Sequence, residues 1–174
     1  ELPLTVYQEF LVMTHTTLKH YLEAEVTKNG LPQKLADLIT GVAETSKEIS
    51  YEVSRGALAG VLGMAGTENI QGEDQKKLDV ISNRLMVEGC IATGAVSAMA
   101  SEEMDHALLV PADKPIGPYL ICFDPLDGSS NIDINVSIGT IFSVLPSPKG
   151  ASRDITDDDF LQSGDNQLAA GYVI

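Results

Sequence analysis

The chain has 174 residues, 44% of them apolar, enough for one buried core and so for one domain, or one domain plus a piece of a second. A formal charge of −14 excludes nucleic acid as a partner, since polyanions need a basic footprint, and an anionic substrate is acceptable only where cations reverse the local sign. The opening ELPLTVYQEF does not read as a secretion leader and no apolar run reaches the roughly 18 residues of a membrane span, so no membrane partner is expected.

In chain order, residues 5–28 carry Val6, Phe10, Met13, Tyr21 and Leu22 near a helical repeat. Asn29-Gly30 stops that helix and Pro32 suits the first turn of the next. Leu35, Leu38, Ile39, Val42, Ile49 and Val53 then mark one face of a long helix to about Gly60. Polar Thr67–Gly72 reads as a loop, and residues 75–89 as a helix with Leu78, Ile81 and Leu85 on one side. The period then changes. Val96–Ala100, Ala107–Val110, Tyr119–Phe123 and Ile138–Val144 are short apolar runs bounded by turns, which predict strands. A proline-rich loop fills 111–118 and another loop 146–164, where Asp157-Asp158-Asp159 is expected to cap a short helix through Phe160 and Leu161. Leu168–Ile174 is again strand-like, and the chain is expected to continue beyond it, because termini usually lie at the surface. Helices first and strands later favour an α+β domain, with helices layered on a mixed, largely antiparallel sheet.

The chemistry centres on Asp124-Pro125-Leu126-Asp127-Gly128-Ser129-Ser130-Asn131, directly after the Tyr119–Phe123 run. Two carboxylates emerge where a strand is expected to end, and hard divalent cations bind such oxygens. Proline fixes the backbone between them, the Leu126 carbonyl is a further oxygen, and Gly128 permits close approach of a ligand. Backbone N–H groups and the hydroxyls of Ser129 and Ser130 suit phosphate. A simple turn accounts for Asp127-Gly128 alone, but not for the whole octad. Glu102-Glu103 follows the Val96–Ala100 run in the same way; solvated surface charge is the bland alternative, and one metal ligand beside one acid on an attacking water is the functional one. Glu73 lies in or beside a loop, and Asp79 in the next helix near the face of Leu78, where a carboxylate needs a partner. Cys90 and Cys122 lie in apolar surroundings and are expected to be reduced, which fits a cytoplasmic location.

The octad resembles the metal-binding signature of the lithium-sensitive sugar and inositol phosphatases. Its extension through Asn131-Ile132-Asp133 and Ser137–Phe142, together with Asn69–Asp79 and Leu168–Tyr172, resembles the class I fructose-1,6-bisphosphatase branch. The resemblance implies the sugar-phosphatase fold and residues 1–174 as its metal-binding amino-terminal domain, with the sugar-binding carboxyl-terminal domain absent. It implies two or more Mg²⁺ ions, with Mn²⁺ or Zn²⁺ as substitutes, held by Glu102, Asp124, Asp127 and the Leu126 carbonyl. Asp79 and Glu103 would position and deprotonate the attacking water, and Glu73 would belong to a loop that closes over the metals. Asp127, Gly128, Ser129 and Ser130 would bind the 1-phosphate of a sugar bisphosphate, in a tetrameric homo-oligomer. Related readings are a sedoheptulose-bisphosphate or inositol phosphatase, or a non-catalytic metal-binding or oligomerisation fragment. The lysine that many family members use for AMP corresponds here to Pro118, which carries no cation. AMP is therefore expected to inhibit the full-length enzyme poorly; micromolar inhibition in a steady-state assay would contradict this.

Overall fold

The computed structural model describes residues 16–59, 64–68, 74–130 and 137–174. Helix α1 (Leu18–Asn29) begins where the Thr17 hydroxyl accepts the His20 N–H at 3.2 Å. It ends at Gly30, whose φ of 75° is left-handed and whose N–H returns to the Glu25 carbonyl. The Pro32 carbonyl then accepts from Leu35 and Ala36, opening helix α2 (Gln33–Ala59). Of the face expected on α2, Leu35, Leu38, Val42 and Ile49 are buried, and Ile39 and Val53 pack partly buried against them. The expected apolar positions Val6, Phe10 and Met13 lie outside the described residues.

Helix α3 (Lys77–Ala92) packs on α2 along a seam of small residues. A Cβ on Gly89 would run into Thr45 Oγ1, and one on Gly41 would lie 2.5 Å from Thr93 Cγ2, so both glycines permit the close approach. The inner side of α3 buries Leu78, Ser82, Met86 and Cys90.

The helices cover one face of a five-stranded sheet ordered β4-β3-β5-β6-β7. Its strands are β3 (Val96–Ser101), β4 (Leu108–Leu109), β5 (Tyr119–Asp127), β6 (Gly139–Pro146) and β7 (Ala169–Val173). Among the described residues β3 and β5 form its parallel pair, and the other neighbours are antiparallel. This is the mixed, largely antiparallel α+β architecture expected. Strand β5 alternates: Tyr119, Ile121 and Phe123 join the core under the helices. Leu120 packs on the opposite face with Ala98, Leu145 and Ile155, while Cys122 and Phe160 lean against that cluster.

The segment between β6 and β7 folds back over that second face. Arg153 donates to the carbonyls of Val110, Pro111 and Lys114 at 2.7–2.8 Å. Asp157–Phe160 forms a 3-10 turn capped by Thr156 and Asp159. Asp157 accepts the Ala107 N–H and meets His106 Nδ1, and Asp159 meets Lys149, so these acids of the run serve structure, as expected. The Cys90 thiol is pushed up to about 12 by burial and Cys122 is raised by the same cause; both are free thiols. No helix among the described residues is long and apolar enough to cross a membrane.

Several boundaries differ from expectation. The first helix, expected over 5–28, starts at Leu18 after the Thr17 cap. Thr67 and Glu68, expected in a loop, end strand β1 (Met64–Glu68), which pairs with β2 (Asp74–Lys76) in a separate small sheet. Gln75 and Lys76 belong to β2, so the helix begins at Lys77. Backbone pairing in a hairpin needs no apolar pattern, which is why polar sequence concealed it. Strand β5 runs through to Asp127, with a break in register around Pro125 that accommodates a residue lacking an N–H.

Leu38 is fully buried, whereas Leu161 is 82% exposed. Leu38→Ala is expected to cost about 2–5 kcal/mol in denaturant unfolding, and Leu161→Ala less than about 0.5 kcal/mol. Equal costs would mean that α2 is not seated on the sheet as described.

Candidate active site

Because β3 and β5 are parallel, they end on the same side of the sheet. Ser101 pairs with Phe123, and the Glu102 N–H donates to the Phe123 carbonyl at 3.1 Å, so Glu102 emerges beside Asp124. Asp124 is half-buried and its Oδ1 accepts the Leu126 N–H at 2.9 Å, closing a short turn around Pro125. The Leu126 side chain is buried in the core, and the Pro125 carbonyl accepts the Thr140 hydroxyl at 3.0 Å. Both contacts fix the backbone between the two aspartates. Asp127 lies opposite Gly139, and its Oδ2 accepts the Tyr172 hydroxyl at 2.9 Å. Gly128 then turns the chain with a φ of 80° into Ser129 and Ser130, a conformation that favours glycine.

Asp79 stands in the first turn of α3 and is only 4% exposed. Burial is the main cause that pushes the Asp124 carboxyl up to about 6. The Leu126 N–H opposes that shift, while the charges of Glu102, Asp127 and Asp79 add to it. The structure thus brings Asp79 from α3, Glu102 from just past β3 and Asp127 from the end of β5 within electrostatic reach of Asp124. Glu103 is half-buried in the same turn as Glu102, and its N–H donates to Ser101 Oγ at 3.2 Å. Glu73 lies outside the described residues. Among the described residues, no three His, Cys, Asp or Glu side chains are gathered closely enough to hold one ion.

An open groove of about 660 Å³ runs from Glu102 and Asp124 over Cys122 and Ile141 to Tyr172. The Tyr172 hydroxyl is raised above its ordinary range, chiefly by its hydrogen bond to Asp127. Sequence reasoning noted Tyr172 only within a resemblance and missed Thr140 as a brace. The available signal was a hydroxyl on each of two apolar strands, since such groups usually find a partner.

Helices on one face of a mixed sheet, with acids gathered at the ends of its parallel strands, define an α+β domain of the sugar-phosphatase fold. Residues 14–174 match the family described as Fructose-1-6-bisphosphatase, N-terminal domain. The chain is 56% identical over 153 residues to the class 1 fructose-1,6-bisphosphatases of Shewanella amazonensis and Shewanella oneidensis, a match covering 88% of this chain. It spans about half the length of those relatives, 46% and 45% respectively. The structure resembles fructose-1,6-bisphosphatase from Leishmania major in its holo form, with a TM-score of 0.78 and 32% identity, over 90% of this chain and 48% of that one. The apo form of the same protein matches with a TM-score of 0.69 and 29% identity, over 90% of this chain and 46% of that one. The chain belongs to the class I fructose-1,6-bisphosphatase family, in its amino-terminal part.

The raised Asp124 carboxyl sets a pH dependence. An acid whose folded-state pKa lies above its ordinary value holds its proton more tightly when folded, so its contribution to stability is lost as pH rises through about 6. In chelator, Asp124→Asn is expected to melt higher than the parent protein, with a gap that widens from about pH 5 to about pH 7.5. A gap that stays constant or narrows over that range, measured by thermal melts, would show that Asp124 is not destabilised by its surroundings.

Proposed function

We propose that this chain carries the metal-binding half of an enzyme that hydrolyses the 1-phosphate of fructose 1,6-bisphosphate, giving fructose 6-phosphate and phosphate in gluconeogenesis. The observation that carries this reading is the half-buried Asp124, which feels the charges of Glu102, Asp127 and Asp79, in a chain of this family. The chemistry of these donors, all oxygen and strongly negative, suits Mg²⁺, and Mn²⁺ or Zn²⁺ as substitutes, because a hard cation offsets the repulsion that burial makes costly; the described side chains would have to draw closer to share one ion.

Glu102, Asp124, Asp127 and the Leu126 carbonyl would hold two or more such ions. Bound there, the ions would neutralise phosphate charge, acidify the attacking water and steady the leaving oxygen. Asp79 and Glu103 orient that water and take its proton. Asp127, Gly128, Ser129 and Ser130 receive the 1-phosphate, the turn at Gly128 offering N–H groups without a side chain in the way. Attack is in line through a loose transition state, so positioning and electrostatics account for most of the acceleration. In this reading the full-length protein is a cytoplasmic homo-tetramer that takes a sugar bisphosphate and neither nucleic acid nor membrane.

Relative rates on fructose 1,6-bisphosphate, sedoheptulose 1,7-bisphosphate and inositol 1-phosphate, with Mg²⁺ present and then chelated, test the assignment. Fructose 1,6-bisphosphate should be the best substrate, with activity lost on chelation. In the full-length enzyme Glu103→Gln should lower kcat by about 10²–10⁴ with KM little changed, the usual weight of a general base. A raised KM at unchanged kcat would make Glu103 a binding residue instead.

A further inference from the structure

Tyr172 lies on β7, two strands away from β5, yet its hydroxyl reaches the Asp127 carboxylate. The register explains how. Asp127 pairs with Gly139, and Ile141 pairs with Tyr172, so the tyrosine ring must cross β6 diagonally to reach Asp127. It crosses over Gly139. A Cβ there would lie 2.7 Å from Tyr172 Cζ and 2.9 Å from its hydroxyl oxygen, too close for any side chain. A hydrogen bond at 2.9 Å and a missing side chain beneath the ring are separate observations, and both serve the same contact.

We propose that Tyr172 is a positioning residue that sets the divalent-cation affinity of the site through Asp127. The inference rests on the reading of Asp127 as a cation ligand. Asp127 is the last residue of β5 and rejoins the ladder opposite Gly139 just after the register break. The Tyr172 hydroxyl holds Oδ2 against β7 and so restricts the carboxylate before any ion arrives. Partners of this outer kind orient ligands and commonly change affinity by about 10–100-fold when removed. An ordinary surface tyrosine explains the 49% exposure of Tyr172 but not the glycine beneath its ring.

Calorimetric titration of the full-length protein with Mg²⁺ reads this contact directly. Tyr172→Phe should weaken Mg²⁺ by roughly tenfold or more. Tyr51→Phe, on α2, should leave the affinity unchanged. Gly139→Ala should weaken Mg²⁺ as well, and adding Tyr172→Phe to it should weaken it little further, since both act on one contact. That alanine would also crowd the Val173 carbonyl at 2.6 Å, so Tyr172→Phe is the deciding variant. Mg²⁺ affinity of Tyr172→Phe within twofold of the parent would overturn this inference alone. A parent protein that binds no Mg²⁺ would overturn the metal reading along with it.

Discussion

The parallel pairing of β3 with β5 places Glu102 and Asp124 side by side; an antiparallel pairing would send them to opposite ends of the sheet. A parallel pair needs a long connection, here residues 102–118, with a turn, the short strand β4 and a proline-rich loop. That connection is pinned from several sides. Arg153 gathers three of its carbonyls, Lys34 donates to the carbonyls of Gly94 and Ile116, and Ser97 Oγ donates to the Gly117 carbonyl. Gly117 itself has no room for a side chain, since a Cβ would run into the Ala95 backbone. The regular core and the irregular loop thus fix one geometric result, which is where two carboxylates leave the sheet.

That placement has an electrostatic cost. The chain already carries a formal charge of −14, and the site collects acids where the surroundings are partly dry. A structure optimised for stability alone would not bury an aspartate beside like charges. The braces around it answer that strain mechanically: Thr140 on Pro125, Leu126 in the core, Tyr172 on Asp127. Each holds backbone or carboxylate in place without adding positive charge, so the local field stays negative.

The helices were legible because their signals are local. Asn29-Gly30 and Pro32 punctuate the chain whatever packs around it, and the face from Leu35 to Val53 repeats within one helix. The two acidic segments were legible because each follows an apolar run. The end of β5 was not, because Pro125 reads as a break unless the register slip beside it is known. Nor were the ties that join distant segments. Tyr172 meets Asp127 across 45 residues, and the Ala107 N–H meets Asp157 across 50, with no periodicity to announce either. The hairpin of β1 and β2 escaped for a third reason, since its pairing is written in the backbone rather than in alternating side chains.

The seam between α2 and α3 constrains how this sequence can change over time. Gly89 has no side chain because Thr45 occupies the space, and Gly41 is likewise hemmed in by Thr93. An alanine at Gly89 is strongly disfavoured while threonine remains at position 45, yet it becomes accessible once that residue has become smaller. The order of substitution therefore matters. Lineages that shrink Thr45 first gain a route that others lack, and having filled the gap at 89 they cannot easily restore the threonine. Helices that touch so closely record a history as well as a contact.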